Sequence, residues 1–241
     1  MRSQGFIRIS SAFWAFKNGR LIDGVIDLAN RGRLDMPVIA VIDYDAGNLH
    51  SACKGIEAAG GRAHVTDSAI ELDRADAILL PGVGAWDPTV QAIRSRGLEK
   101  PIRAAIASGK PFLGICMGLQ VLFDASEEGN DPGLGVVSGS VKKFKLEPGI
   151  TVPHMGWNQL ELRQPDLNLW SGLKPNSWMY FVHSYYVDPT DSLVRSAVIT
   201  HGTQTVTASI AIDNLMAVQF HPEKSSDAGM TLLGNFVKGA R

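Results

Sequence analysis

The sequence predicts an α/β protein built on an open, doubly wound, mostly parallel sheet, with an antiparallel extension in its C-terminal half. Three observations lead there. Short runs of wholly apolar residues recur, too uninterrupted for strands with one wet face. Each stops at a loop rich in Gly, Pro, Asn or Asp and is followed by a helical pattern, the rhythm of β-loop-α units. Past about residue 135 that rhythm gives way to strand-like segments with few helices between them.

The first such run is Val38-Ile39-Ala40-Val41-Ile42, ending in Asp43-Tyr44-Asp45-Ala46-Gly47-Asn48. A helix is expected from Leu49 to Ala59, closed by Gly60-Gly61, with Leu49, Ala52, Cys53 and Ile56 on one stripe, so Cys53 reads as core. Ala77-Ile78-Leu79-Leu80 is the next strand, before Pro81-Gly82-Val83-Gly84. Helical patterns fill about 86 to 108, and Pro111-Phe112-Leu113-Gly114-Ile115 is a strand leading into another helix. Strands are expected near 136–144, 178–187, 205–212 and 215–220. A last helix, about 226–238, packs back through Met230, Leu232, Leu233 and Phe236.

The chain has 241 residues, with 23 Lys and Arg against 24 Asp and Glu. That near-balance carries no electrostatic signature of nucleic acid or of an acidic membrane, so small-molecule or protein partners are expected. Two cysteines are too few for a disulfide framework and fit a reducing compartment, the cytoplasm by default. No apolar run approaches the roughly 20 residues of a membrane helix. Residues 1–36 form an N-terminal extension to a 37–241 catalytic domain. Met36 reads as a natural start, making the extension an over-called start or a loosely attached appendage. Arg2, Arg8, Lys17 and Arg20 lend it a weak transit-peptide character that Asp23, Asp27 and Asp35 spoil.

Chemistry concentrates in three motifs. Gly114-Ile115-Cys116-Met117-Gly118 has the G-x-C-x-G form, in which glycines let a strand turn sharply into a helix and present the sulfur at its N-terminus, where backbone N–H groups favour thiolate. A buried structural cysteine is the plain alternative. In His221-Pro222-Glu223, residues i and i+2 of an extended segment project to the same side, so a histidine could exchange protons with a thiol while a carboxylate orients its ring. Pro81-Gly82-Val83-Gly84, at the carboxyl end of a strand, could aim an N–H at an oxyanion, with a second N–H from the residue after Cys116. His50, His64 and His201 have no metal-like spacing, and neither a metal nor an organic cofactor is expected. Lys142, Lys143 and Lys145 read as a solvated strand face.

Together these residues resemble the class I, triad-type glutamine amidotransferases, which pair G-x-C-x-G with a downstream His-Pro-Glu. The resemblance narrows to the glutaminase subunits of imidazole glycerol phosphate synthase through Gly114 to Gln120, Pro81 to Gly84, His154-Met155-Gly156-Trp157-Asn158, Tyr180 to Tyr186 and Phe220 to Ser225. It covers about 37–240 and implies a flavodoxin-like fold. It also implies that Cys116 is the nucleophile, His221 the base and then acid, and Glu223 the residue orienting His221. Val83 and Met117 would supply oxyanion N–H groups, and Gly84, Gln120, Ser184 and Tyr185 would hold glutamine. The implied partner is a TIM-barrel cyclase that receives ammonia through an internal channel, forming a heterodimer that makes imidazole glycerol phosphate and an aminoimidazole carboxamide ribotide. Asn48, Trp157, Asn158, Tyr180 and Lys224 would lie at or near its docking face. Departures are small: Trp86 stands where Phe is usual, and Asp45-Ala46 varies a loop. Two rivals stay open, the glutaminase subunit of another amidotransferase such as anthranilate synthase, and an inactive regulatory module.

Overall fold

The computed structural model describes residues 36–45 and 48–240, together with short paired segments nearer the N-terminus. The chain divides into two compact units, Met1–Met36 and Pro37–Arg241. In the first, Arg8–Ile9 pairs antiparallel with Ala12–Phe13, and Phe16–Lys17 with Arg20–Leu21.

The second unit is built on an eight-stranded sheet. Its parallel half contains β1 (Val38–Ile42), β2 (Arg62–Thr66), β3 (Ala77–Leu80) and β4 (Phe112–Ile115). The smaller sheets and the antiparallel half draw on β5 (Phe123–Ser126), β6 (Val137–Lys143), β7 (His154–Gln159), β8 (Glu161–Leu162), β9 (Trp178–His183), β10 (Tyr185–Pro189), β11 (Arg195–His201), β12 (Gln204–Ile212) and β13 (Leu215–Val218). The strand order is β8-β11-β12-β13-β4-β3-β1-β2. From β13 to β2 all neighbours run parallel, and from β8 to β13 all run antiparallel. The predicted fold class and its C-terminal antiparallel extension are therefore the observed ones.

The inner parallel strands β3 and β4 are buried at every residue, as strands covered on both faces must be. Alternate residues serve opposite layers: Ala40, Ile42, Ile78 and Leu80 enter one apolar core, and Ile39, Val41, Ala77 and Leu79 the other. Covering helices are α1 (Leu49–Ala58), α2 (Ala69–Arg74), α3 (Trp86–Ser95), α4 (Glu99–Ala107), the single turn α5 (Met117–Gln120) and α6 (Ser226–Gly239). Leu232, Leu233 and Phe236 of α6 are buried, while Met230 and Cys53 stay half-buried at the core's margin.

The structure departs from expectation in several places, including the strands β2, β5 and β11, which were not expected. The helix after β4 is four residues long, because the chain must return at once as β5. The segment 178–187 is two strands broken at Ser184, β9 pairing with β7 and β10 with β6. The strand β7 escaped notice because its alternation is inverted: His154 points inward, while Met155 and Trp157 face solvent. Among the described residues, no helix is long and apolar enough to cross a membrane.

Candidate active site

Cys116 stands between β4 and α5 with φ +54° and ψ −110°, a left-handed backbone that costs a non-glycine residue about 1–3 kcal/mol. Its neighbours explain how the turn closes. A Cβ on Gly118 would lie 2.0 Å from the Leu80 carbonyl oxygen, and one on Gly114 would lie 2.7 Å from the Gly118 carbonyl oxygen. The Cys116 N–H donates to Val218 O at 2.7 Å, and its carbonyl accepts from Leu119 and Gln120. The strand ladder thus fixes one side of the residue and α5 the other, and the residue is 7% exposed.

His221 follows β13, the strand beside β4. Its N–H donates to Tyr180 O at 3.0 Å, and its carbonyl accepts from Ser225 Oγ at 2.6 Å. Pro222–Lys224 is a 3₁₀ turn rather than the expected extended segment, and the turn swings Glu223 round to the imidazole. His221 Nδ1 donates to Glu223 Oε1 at 2.8 Å, with the two side chains 2% and 4% exposed. Burial works against the imidazolium, but hydrogen bonding and charge from Cys116 and Glu223 outweigh it and raise the pKa to about 9. Nε2 is buried without a partner of standard hydrogen-bond geometry, and Cys116 is among the neighbours that raise the ring's pKa.

In front of the sulfur lies a cavity of about 180 Å³ lined by Gly84, Cys116, Met117, Gln120, Ser184 and Tyr185, with Glu128, Pro153, Val182 and His183 completing it. Pockets for drug-sized ligands run to about 300–1,000 Å³, so this one suits something as small as an amino acid. All four residues expected to hold glutamine therefore share one cavity with the thiol. Gly84 has φ +116°, which only glycine adopts freely. Val83 adjoins Gly84 in the loop but does not line the cavity, and His221 and Glu223 are not among its lining residues.

Glu128 and Tyr44 were missed by sequence reasoning. Glu128 Oε2 accepts from the Trp86 N–H at 3.1 Å, and burial lifts its carboxyl above the usual range. Nothing in Glu127-Glu128-Gly129 marks one glutamate as lining a cavity. Tyr44 donates its hydroxyl to Pro81 O at 2.8 Å and braces the glycine loop, whose Gly82 lies where a Cβ would come 2.6 Å from Gly118 N.

Gln120 donates through Nε2 to Tyr185 O at 3.1 Å and to Gln219 Oε1 at 3.0 Å, leaving Oε1 buried and unpartnered. The Tyr185 carbonyl has a second donor in His183 Nδ1, at 2.9 Å. His183 Nε2 then accepts from His154 Nδ1 at 3.0 Å, the tautomers following from that carbonyl. Burial holds both imidazoles neutral, His183 at a pKa of about 3 and His154 at about 4.

The residues expected at a docking face divide. Trp157 and Tyr180 sit opposite each other on β7 and β9, their rings edge to face at 6.0 Å, in a ribbon that also exposes Met155 and Trp178. Lys224 is exposed beside Glu223. Asn158 is half-buried and bonded to Thr200 O at 2.9 Å, while Asn48 caps α1 by accepting from the Ser51 N–H at 3.4 Å.

The family model described as glutamine amidotransferase class-I matches residues 40–240. Imidazole glycerol phosphate synthase subunit HisH of Nostoc punctiforme is 66% identical over 206 residues, 86% of this chain and 98% of the relative. The protein of the same name from Trichormus variabilis is 65% identical over the same shares of both chains. Among solved structures, PurLQS from Thermotoga maritima superposes with a TM-score of 0.68 at 18% identity, covering 86% of this chain and all of the other, a likeness of fold. A strained thiol elbow, a buried imidazole–carboxylate pair and these matches agree: the chain belongs to the class-I glutamine amidotransferases, in the HisH branch.

Proposed function

We propose that this protein is the glutaminase subunit of an imidazole glycerol phosphate synthase, releasing ammonia from glutamine for a TIM-barrel cyclase. The observation that carries the reading is Cys116 on a strained turn, over a glutamine-sized cavity and coupled to the buried His221–Glu223 pair. In this reading the ammonium and carboxylate of glutamine meet Glu128, the free Gln120 Oε1 and the Ser184–Tyr185 turn, leaving the carboxamide facing the sulfur. The thiol proton passes to His221, the thiolate attacks the amide carbon, and the N–H of Met117 receives the oxyanion, joined by that of Val83 once the partner turns the Pro81–Gly84 loop towards the cavity. As the tetrahedral adduct collapses, His221 returns its proton to departing ammonia. A water deprotonated by His221 then hydrolyses the thioester to glutamate and frees the thiol. Glu223 holds the Nδ1 proton throughout, keeping Nε2 aimed at the sulfur. The chemistry requires a reducing compartment, consistent with cytoplasm.

The ribbon of exposed Met155, Trp157 and Trp178 and half-buried Tyr180, with Lys224 beside it, supports the cyclase as its occupant, since exposed aromatics anchor interfaces. Asn158 and Asn48 would contribute through the backbone they hold. Two arguments disfavour the rivals: the His154–Asn158 and Tyr180–Tyr186 segments resemble the histidine-biosynthesis branch, and Cys116, His221 and Glu223 are all intact. Mixing the protein with the cyclase and its nucleotide intermediate should raise glutamine hydrolysis sharply over the nearly inactive isolated subunit. Unchanged hydrolysis would defeat the partner assignment.

A further inference from the structure

Among the described residues, the sulfur has one hydrogen-bonding neighbour outside the triad, the Gln219 side chain. Gln219 is wholly buried at the end of β13, its backbone held by a bond from its N–H to Ala208 O at 2.8 Å. Its side chain spans two parts of the site: Oε1 accepts from Gln120 Nε2 at 3.0 Å, and Nε2 lies 3.6 Å from Cys116 Sγ. The amide's orientation follows from its partners. Gln120 Nε2 is a donor only, so the atom of Gln219 facing it must be oxygen, and the N–H pair must face the sulfur. A buried N–H donor directed at sulfur favours the anion, because bonds to a charged acceptor are stronger than bonds to a neutral one.

We propose that Gln219 is a further catalytic residue, the fixed N–H donor that stabilises the Cys116 thiolate once its proton has moved to His221. This rests on the thiol-nucleophile reading above. Gln219 keeps its own protons throughout and only solvates the charge, from a wholly buried position of its own. Its second bond ties that donor to the substrate cavity, since Gln120 is both a wall of the cavity and the group that orients the Gln219 amide. Gln120 itself then acts on the sulfur only through Gln219 and chiefly serves glutamine binding.

The test uses the full chain in complex with its cyclase. The pH dependence of iodoacetamide alkylation is followed on the peptide containing Cys116, so that labelling of Cys53 is counted separately. Gln219→Met, close in volume but without the donor, should shift the alkylation midpoint up by about one pH unit and lower kcat about tenfold, with KM for glutamine little changed. Gln120→Met should instead raise KM and move the midpoint less. If Gln219→Met fails to fold, Gln219→Glu is titrated in its place, since it loses the donor and adds repulsion, and its midpoint should rise further. An unmoved midpoint in the folded variant overturns the assignment. Cys116→Ala in the same complex separates the two claims: retained glutamine hydrolysis there would sink the thiol reading itself, whereas its loss alongside an unmoved midpoint would sink only the role of Gln219.

Discussion

Gly118 shows how tightly the nucleophile's turn is determined. A methyl group there would lie 2.0 Å from the Leu80 carbonyl oxygen, a backbone atom with no side-chain freedom to yield. Gly118→Ala should therefore move α5 or β3, destabilise the fold by about 2 kcal/mol or more, and abolish glutamine hydrolysis. Chemical denaturation with parallel assays checks it, and a variant as stable and active as the parent would refute this account of the elbow. Glu223→Gln is the complementary change. It keeps the volume but removes the charge that helps hold the His221 proton, so the imidazole pKa should fall from about 9 and kcat should drop at least 100-fold. NMR titration of the His221 ring would read the first effect directly. The reactive residues were legible because glycine spacing and a His-Pro-Glu step leave local marks. Glu128, Tyr44 and Gln219 were not, since each acts through a neighbour 37 to 103 positions away.

At the scale of elements, β9 joins the outer ribbon to the chemistry. Tyr180 presents its ring beside Trp157 while its carbonyl accepts the His221 N–H, and its own N–H donates to Ser225 Oγ at 2.9 Å. Past His183 the same strand breaks at Ser184, the turn that borders the cavity. A partner that shifts this strand can move both the base and the substrate turn. Trp157→Ala should accordingly weaken cyclase binding by about 2 kcal/mol, roughly 30-fold in Kd, with little change in melting temperature. Calorimetric titration checks it. Sequence reading joined 178–187 into one strand because apolar and aromatic residues continue across Ser184, while the break depends on which sheet each half joins.

Across the whole molecule, the buried histidines bound the pH range of stability. His154 and His183 are neutral when folded but take up protons in the unfolded chain below about pH 6.5, so acidification favours unfolding from there downward. His221 acts in the opposite sense. Its pKa of about 9 adds stability that is fully present below about pH 6.5 and is lost as pH rises through 9. Melting temperature should therefore fall on the acid side, and replacing His154 with Phe should flatten that limb. An acid limb of equal slope in the variant would contradict it. The sheet class was readable at this scale because β1, β3 and β4 are buried on both faces and their composition says so. The antiparallel half was read less completely, since β7 turns its aromatics outward and β2 is a polar edge strand.

All of this depends on Cys116 cutting the amide while ammonia's later use lies elsewhere. The most direct measurement compares glutamine-dependent and ammonia-dependent synthesis in the complex of Cys116→Ala with the cyclase. The first is expected to vanish and the second to stay at the parent's rate. Persistent glutamine-dependent synthesis would contradict it.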